Sequence, residues 1–252
     1  MRLQFVLAGC CLLIGTIAGA DQELYTKLLA EYVHQGKVRY SSLCKDPGLG
    51  QYIAQLSKTD PEKIKNRNSR LAFWINTYNA YTLKIICDNY PVKSINDLHS
   101  GGRILGTVFK TTVWDKEFID IHGRKLSLNT IEHKIIRKQF KEPRAHFALV
   151  CASISCPPLR PEAYRGQDLD HQLDDQARIF FADTSKNTFD LQRKVARLSK
   201  IMDWYSEDFG KDKEQILLFI SRFLPDKAAR AIQSDPGEWK VEYTKYNWNL
   251  NE

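Results

Sequence analysis

Apolar residues along this chain recur mainly at helical spacing, and the strongest run lies between Ser69 and Asp88. Leu71, Trp74, Ile75, Tyr78, Tyr81, Thr82, Ile85 and Ile86 return every three or four positions, which predicts an amphipathic helix. Its apolar positions cover more than one stripe, so it should lie in the middle of the fold. Tyr90-Pro91 stops it. Weaker runs of the same period predict helices over 22–34, ended by Gly36, and around Leu49, Tyr52, Ile53 and Leu56. Others follow over 130–139, capped by Asn129, and over 168–183, 201–209, 214–224 and 226–232. Asp60-Pro61 opens a short helical turn.

Extended segments are short. Residues 38–43 and 113–114 read as strand-like, and 118–121 with 125–128 reads as a hairpin about His122-Gly123. Residues 188–198 suggest two strands, and Val241 with Tyr243 a last one. The apolar run His146 to Cys151 reads as a buried strand that breaks sharply at Pro157-Pro158. Residues 98–111, with Gly101, Gly102 and Gly106, read as a loop. Helices and hairpins alternate without a regular strand–helix–strand rhythm. The expected class is α+β, a helical N-terminal part packed on a small, mostly antiparallel sheet.

The N-terminus reads as an address. Arg2 is the only charge before Asp21, and an apolar stretch from Phe5 to Ile17 leads to Ala18-Gly19-Ala20. That pattern describes a secretory signal peptide over residues 1–20, cleaved after Ala20, and it is too short for a membrane-spanning helix. A rival pattern, Leu7-Ala8-Gly9-Cys10, would make Cys10 a lipid anchor. Cleavage leaves residues 21–252, read as one globular domain because no linker divides them, and lowers the net charge from +7 to +6. A periplasmic or secreted location follows, and there Cys44, Cys87, Cys151 and Cys156 can form disulfides. No stacking-aromatic pattern accompanies the basic runs at 134–141 and 193–200, and an exported chain rarely meets nucleic acid, so no nucleic-acid partner is expected. An unidentified small molecule or peptide is the expected partner.

Candidate chemistry concentrates in three places. Asn76 and Asn79 share one face of the central helix, where their amides either pin a neighbouring loop or orient a substrate or an imidazole. Glu132 and His133 follow Asn129, and Glu132 at the third helical position reads first as a capping box. The segment from His146 to Arg160 holds His146, Cys151, Ser153, Ser155 and Cys156. With Pro157 next, Cys156 would stand at a helix N-terminus, where its thiol pKa falls. Cys156 as nucleophile, His146 or His133 as base, and Asn76 or Asn79 as orienting amide would support cysteine-dependent hydrolysis or acyl transfer. Trp74, Ser155, Arg160 and Glu132 are candidate substrate contacts. The competing reading is a non-catalytic binding or scaffold domain, with the same residues in a buried polar network and Cys156 in a disulfide. No tight Cys or His pair is spaced for zinc, so neither metal nor cofactor is expected. His34, His99, His122 and His171 are expected on the surface.

Several blocks resemble the family catalogued as domain of unknown function 547. They are Ala72 to Ala80, Ile131-Glu132-His133, His146 to Cys151, Ser155 to Arg160 and Tyr246 to Asn251, with Gly36 to Leu43 near the start. The resemblance implies a bacterial exported protein but supplies no catalytic residues, since no activity is attached to the family name. Asn247 stands where that family more often has Asp. A looser likeness is to papain- and transglutaminase-like folds, which place a nucleophilic Cys at the start of a central helix. Here that helix carries Trp74 and Asn76 and no Cys before Cys87.

Overall fold

The computed structural model describes residues 20–98 and 112–252. Ala20 apart, the expected leader with Cys10 lies outside the described residues, as do His99 and nearly all of the glycine loop. Among the described residues no helix is long and apolar enough to cross a membrane.

The fold is α+β and is organised around helix α4, Arg67–Cys87, with α1 (Gln22–Tyr32), α2 (Tyr40–Leu43) and α3 (Pro47–Lys58) before it. Every position from Leu71 to Leu83 in α4 is buried, as expected for a helix apolar on all sides. Aspartate or asparagine caps the starts of α1, α3 and α4: Asp21 accepts from Glu23 and Leu24 N–H, Asp46 from Gly48, and Asn66 from Ser69. Pro47 occupies the first turn of α3, where its missing N–H is not needed. Thr77 and Thr82 return their hydroxyls to the carbonyls of Phe73 and Tyr78, four residues back, so neither is left unsatisfied in the core.

Small hairpins take the place of one continuous sheet. β1 (Val33–His34) pairs antiparallel with β2 (Lys37–Val38), and β3 (Ile119–Ile121) with β4 (Arg124–Leu126). The β3–β4 turn is held to α3 by a bond from His122 N–H to the Ser57 carbonyl, 2.8 Å. A third sheet orders β5 (Thr188–Asp190), β6 (Val195–Leu198) and β7 (Lys240–Tyr243), with β5–β6 antiparallel and β6–β7 parallel. Between these run α5 (Thr130–Phe140), wound as a π-helix, and α6 (Leu169–Ala182). The short helices α7 (Ile201–Trp204) and α8 (Ser206–Phe209) precede α9 (Lys213–Ser221) and α10 (Asp226–Ser234). Two apolar cores result. One surrounds α4, and the other surrounds Phe147, whose ring lies 5.1–5.6 Å from those of Phe180, Phe181 and Phe209.

Three segments expected to be extended fold otherwise. Of 38–43, Val38 ends β2 and Tyr40–Leu43 is the helix α2. Val113-Trp114 lies in a turn, with Thr112 bonded to the Asp115 carboxylate. The run His146 to Cys151 forms no strand: Pro143–Phe147 is a single 3₁₀ turn and the following residues are irregular. No helix begins at Cys156 either: residues 157–160 have no regular secondary structure. The C-terminal tail lies along this segment. Ile154 and Ser155 N–H donate to the Asn249 and Asn247 carbonyls, and Asn251 N–H donates to that of Ala152. The tail reaches the N-terminal half too, through Val38 N–H on the Asn251 carbonyl and the Tyr40 hydroxyl on the Asn251 amide oxygen, 2.9 Å.

The β1–β2 turn needs glycine twice over. Gly36 has φ +78°, and a Cβ there would collide with Pro158. Gly36→Ala therefore lowers stability by about 1–3 kcal/mol, read as a lower urea midpoint, and an unchanged midpoint would show that the turn and Pro158 move apart freely.

Candidate functional site

The cavity that gathers most of the candidate chemistry has a volume of about 170 Å³ and lies where the two cores meet. Tyr78 of α4 and Leu149 line it from the first core, Ile201, Trp204 and Tyr205 from the second. The tail contributes Tyr246 and Trp248. Trp114, Asn129, Glu132, His146, Cys151 and Cys156 complete the lining. A cavity of about 150 Å³ is enough for a benzene-sized guest.

One wall is aromatic. The Trp204 and Trp248 rings stack 5.7 Å apart, and Tyr246 lies 4.7 and 4.5 Å from them. Trp114 meets Trp248 edge-on at 5.7 Å. Trp204 is 45% exposed although its neighbours on the wall are packed, which places it at the mouth.

Glu132 contributes the carboxylate. It is only 6% exposed and lines the cavity together with Tyr78 and Tyr205. Burial first, and then this carboxylate, push both tyrosine hydroxyls well above their ordinary pKa. Among the described residues no lysine or arginine forms an ion pair with Glu132. The capping-box expectation for Glu132 is corrected here. The Asn129 amide donates to Asp115 at 2.6 Å, and Ser127 Oγ accepts the Thr130 N–H at 3.1 Å. The start of α5 is thus served by neighbours, and Glu132 turns into the cavity.

His146 is 5% exposed and sits beside the Tyr205 ring, centroids 4.1 Å apart. Its Nε2 lies 2.6 Å from Asp208 Oδ2, which also accepts from Arg137 Nε at 2.5 Å. Arg137 also bonds Glu207 and contacts His133 Nδ1 at 3.0 Å. Burial pushes the Asp208 carboxyl up, but the bonds from His146 and Arg137 outweigh it and hold it well below the usual carboxylate range. The network reaches a second cavity, of about 330 Å³, which shares His146 and Leu149 with the first.

Cys151 and Cys156 form a disulfide on the cavity wall, and Cys44–Cys87 forms a second, joining the ends of α2 and α4. The Cys151 N–H donates to Cys156 Sγ at 2.9 Å, and the Tyr246 hydroxyl lies 3.3 Å from both sulfurs. Among the described residues no three His, Cys, Asp or Glu side chains are grouped to hold a metal ion.

Of the residues singled out from the sequence, the fold brings Glu132, His146 and Cys156 to one cavity and leaves His133 one step away, through Arg137 and Asp208. Asn76 and Asn79 stand behind it, both committed to backbone. Asn76 donates to the Tyr164 carbonyl and accepts its N–H, at 2.8 and 2.9 Å. Asn79 donates to the Ala148 carbonyl and accepts from Val150 N–H, both at 2.9 Å. Trp74 is buried against Phe73 in the first core. Ser155 accepts from Asn247 N–H, and Arg160 pairs with Glu162 and Asp175. None of these three lines the cavity. Sequence reasoning passed over Trp204, Tyr205, Asp208 and Arg137. The available signal was aromatic residues clustered at the polar ends of short elements, at 204–205 and 246–248.

Because its folded pKa is depressed, Asp208 contributes stability that is full above the unfolded value, about 4, and is lost as pH falls below it. Urea midpoints measured against pH for the native protein and for Asp208→Asn should therefore differ near neutrality and converge in acid. A constant difference would remove Asp208 from the acid response.

No curated protein and no solved structure matches this chain. Residues 61–181, just under half the chain, match the family model described as "Protein of unknown function, DUF547", a segment that carries α4, Glu132, His146 and the Cys151–Cys156 pair.

Proposed function

We infer that this is an exported ligand-binding domain whose cavity takes a small organic cation, such as an alkylated ammonium group. The observation that carries the reading is the buried Glu132 carboxylate, which shares the cavity lining with a wall of tryptophan and tyrosine rings. Aromatic faces attract a desolvated cation through their quadrupoles, by about 2 kcal/mol or more per favourable site. A buried carboxylate without a cationic partner is costly, and a bound cation relieves that cost.

Two disulfides support an oxidising, periplasmic or secreted setting, and the leader pattern at residues 1–20 supports export from a bacterial cell. Cysteine-dependent hydrolysis has less support. Cys156 carries no thiol while it is paired with Cys151, and Asn76 and Asn79 are bonded to backbone and do not line the cavity.

Calorimetric titration with tetramethylammonium, and with neopentyl alcohol as its neutral counterpart, tests the reading. The cation should bind and the alcohol should bind at least about tenfold more weakly. Glu132→Gln and Trp204→Ala should each weaken the cation by about tenfold and leave the circular dichroism spectrum unchanged. Equal affinity for the cation and the alcohol would overturn the assignment of ligand class, and absence of binding to both would overturn the cavity as a cation site.

A further inference from the structure

Cation binding leaves one feature of the cavity wall without a task. Cys44–Cys87 staples two helix ends and lies outside the cavity lining, whereas Cys151–Cys156 forms part of that lining. The two sulfurs of the wall disulfide differ. Cys156 is 4% exposed, and Cys151 is only partly buried. Cys156 Sγ already accepts the Cys151 N–H at 2.9 Å and lies 3.3 Å from the Tyr246 hydroxyl. Cys151 Sγ faces the hydroxyls of Ser153 and Tyr246 at 3.2 and 3.3 Å.

We propose that Cys151–Cys156 is a thiol–disulfide exchange centre that is reduced by small thiols entering the cavity. The thiolate sulfur of an incoming thiol attacks Cys151 Sγ, the more accessible sulfur. A bond forms between them, the Cys151–Cys156 bond breaks, and its electron pair leaves on Cys156 Sγ. The Cys151 N–H and the Tyr246 hydroxyl receive that charge, and a better-stabilised thiolate leaves faster. A second thiol then attacks the incoming sulfur and displaces Cys151 as a thiolate. The protons of the two entering thiols end on Cys151 and Cys156. Two thiols have been oxidised to one disulfide, and the protein disulfide has been reduced to a dithiol. A small disulfide such as glutathione disulfide reverses the sequence. This proposal stands whatever ligand the cavity holds.

Folded protein exposed to dithiothreitol, quenched with N-ethylmaleimide and mapped by peptide mass spectrometry provides the test. Cys151 and Cys156 should be labelled at least about tenfold faster than Cys44 and Cys87, without change in circular dichroism, and glutathione disulfide should restore the pair. Tyr246→Phe keeps the ring and removes one donor to the leaving sulfur, so it should slow the reduction about threefold or more while Cys44–Cys87 reacts as before. Labelling of all four cysteines together, at the rate of global unfolding, would overturn the proposal. Reduction of Tyr246→Phe at the unaltered rate would overturn the part assigned to that hydroxyl. The assay contains no organic cation, so its failure leaves the binding reading standing, and failure of the titration leaves this one standing.

Discussion

The backbone from Ala148 to Cys156 is largely buried yet belongs to no helix and no sheet, and the site depends on how its polar groups are satisfied. A buried peptide group left unpaired costs about 1–3 kcal/mol, so each N–H and carbonyl here needs a partner from elsewhere. Asn79 supplies two of them from the centre of α4, taking the Ala148 carbonyl and the Val150 N–H in one amide. The C-terminal tail supplies the next set, through the Asn247 and Asn249 carbonyls and the Asn251 N–H. The two arrangements complete each other. The amide fixes the chain where it enters the cavity wall, and the tail fixes it where it leaves.

This division of labour explains why the cavity is aromatic. A tail that must follow residues 152–155 to satisfy their backbone carries Tyr246 and Trp248 along with it. Those rings close against Trp204, at the end of α7, and Trp114, in the turn at 113–115. The wall is thus assembled from three distant parts of the chain. Its shape is set by backbone pairing rather than by any local preference of the aromatic residues. Removing the tail would strip the wall and expose the 151–156 backbone together.

Much of the helical frame was legible in the sequence because its signals are local. The period of Leu71 to Ile86, the caps at Asp60 and Asn129 and the His122-Gly123 turn each need only a few neighbouring residues to be read, and helices and a hairpin stand there. At Asn129 the position was right and the cause was not, since its amide bonds Asp115 rather than the helix. Glu132 shows the limit more sharply. Asn129-x-x-Glu reads as a capping box, but Ser127 and Asp115 take over the local bonds and free the carboxylate to line the cavity with Tyr78 and Tyr205. The run 146–151 misled for a related reason: six apolar-leaning residues read as a strand, and nothing local reveals that the backbone of Ala148 and Val150 is paired by the Asn79 side chain on another element. Asp208 had no local signal, because its role comes from Arg137 and His146 on other elements.

The placement of Arg137 decides the electrostatics of the cavity. Its guanidinium lies 5.1 Å from the centre of the Tyr205 ring, and its donors go to Asp208 and Glu207 on the far side. The same Tyr205 lines the cavity beside Glu132. Tyr205 therefore touches the arginine with its ring and lines the cavity with the buried carboxylate, stacked against His146. Were Arg137 to reach Glu132, the two charges would cancel and the aromatic wall would face a neutral floor. Asp208 prevents this by holding the arginine with a short ion pair and taking His146 as its second donor. One acidic residue on α8 thus holds both Arg137 and His146, and among the described residues no lysine or arginine forms an ion pair with Glu132.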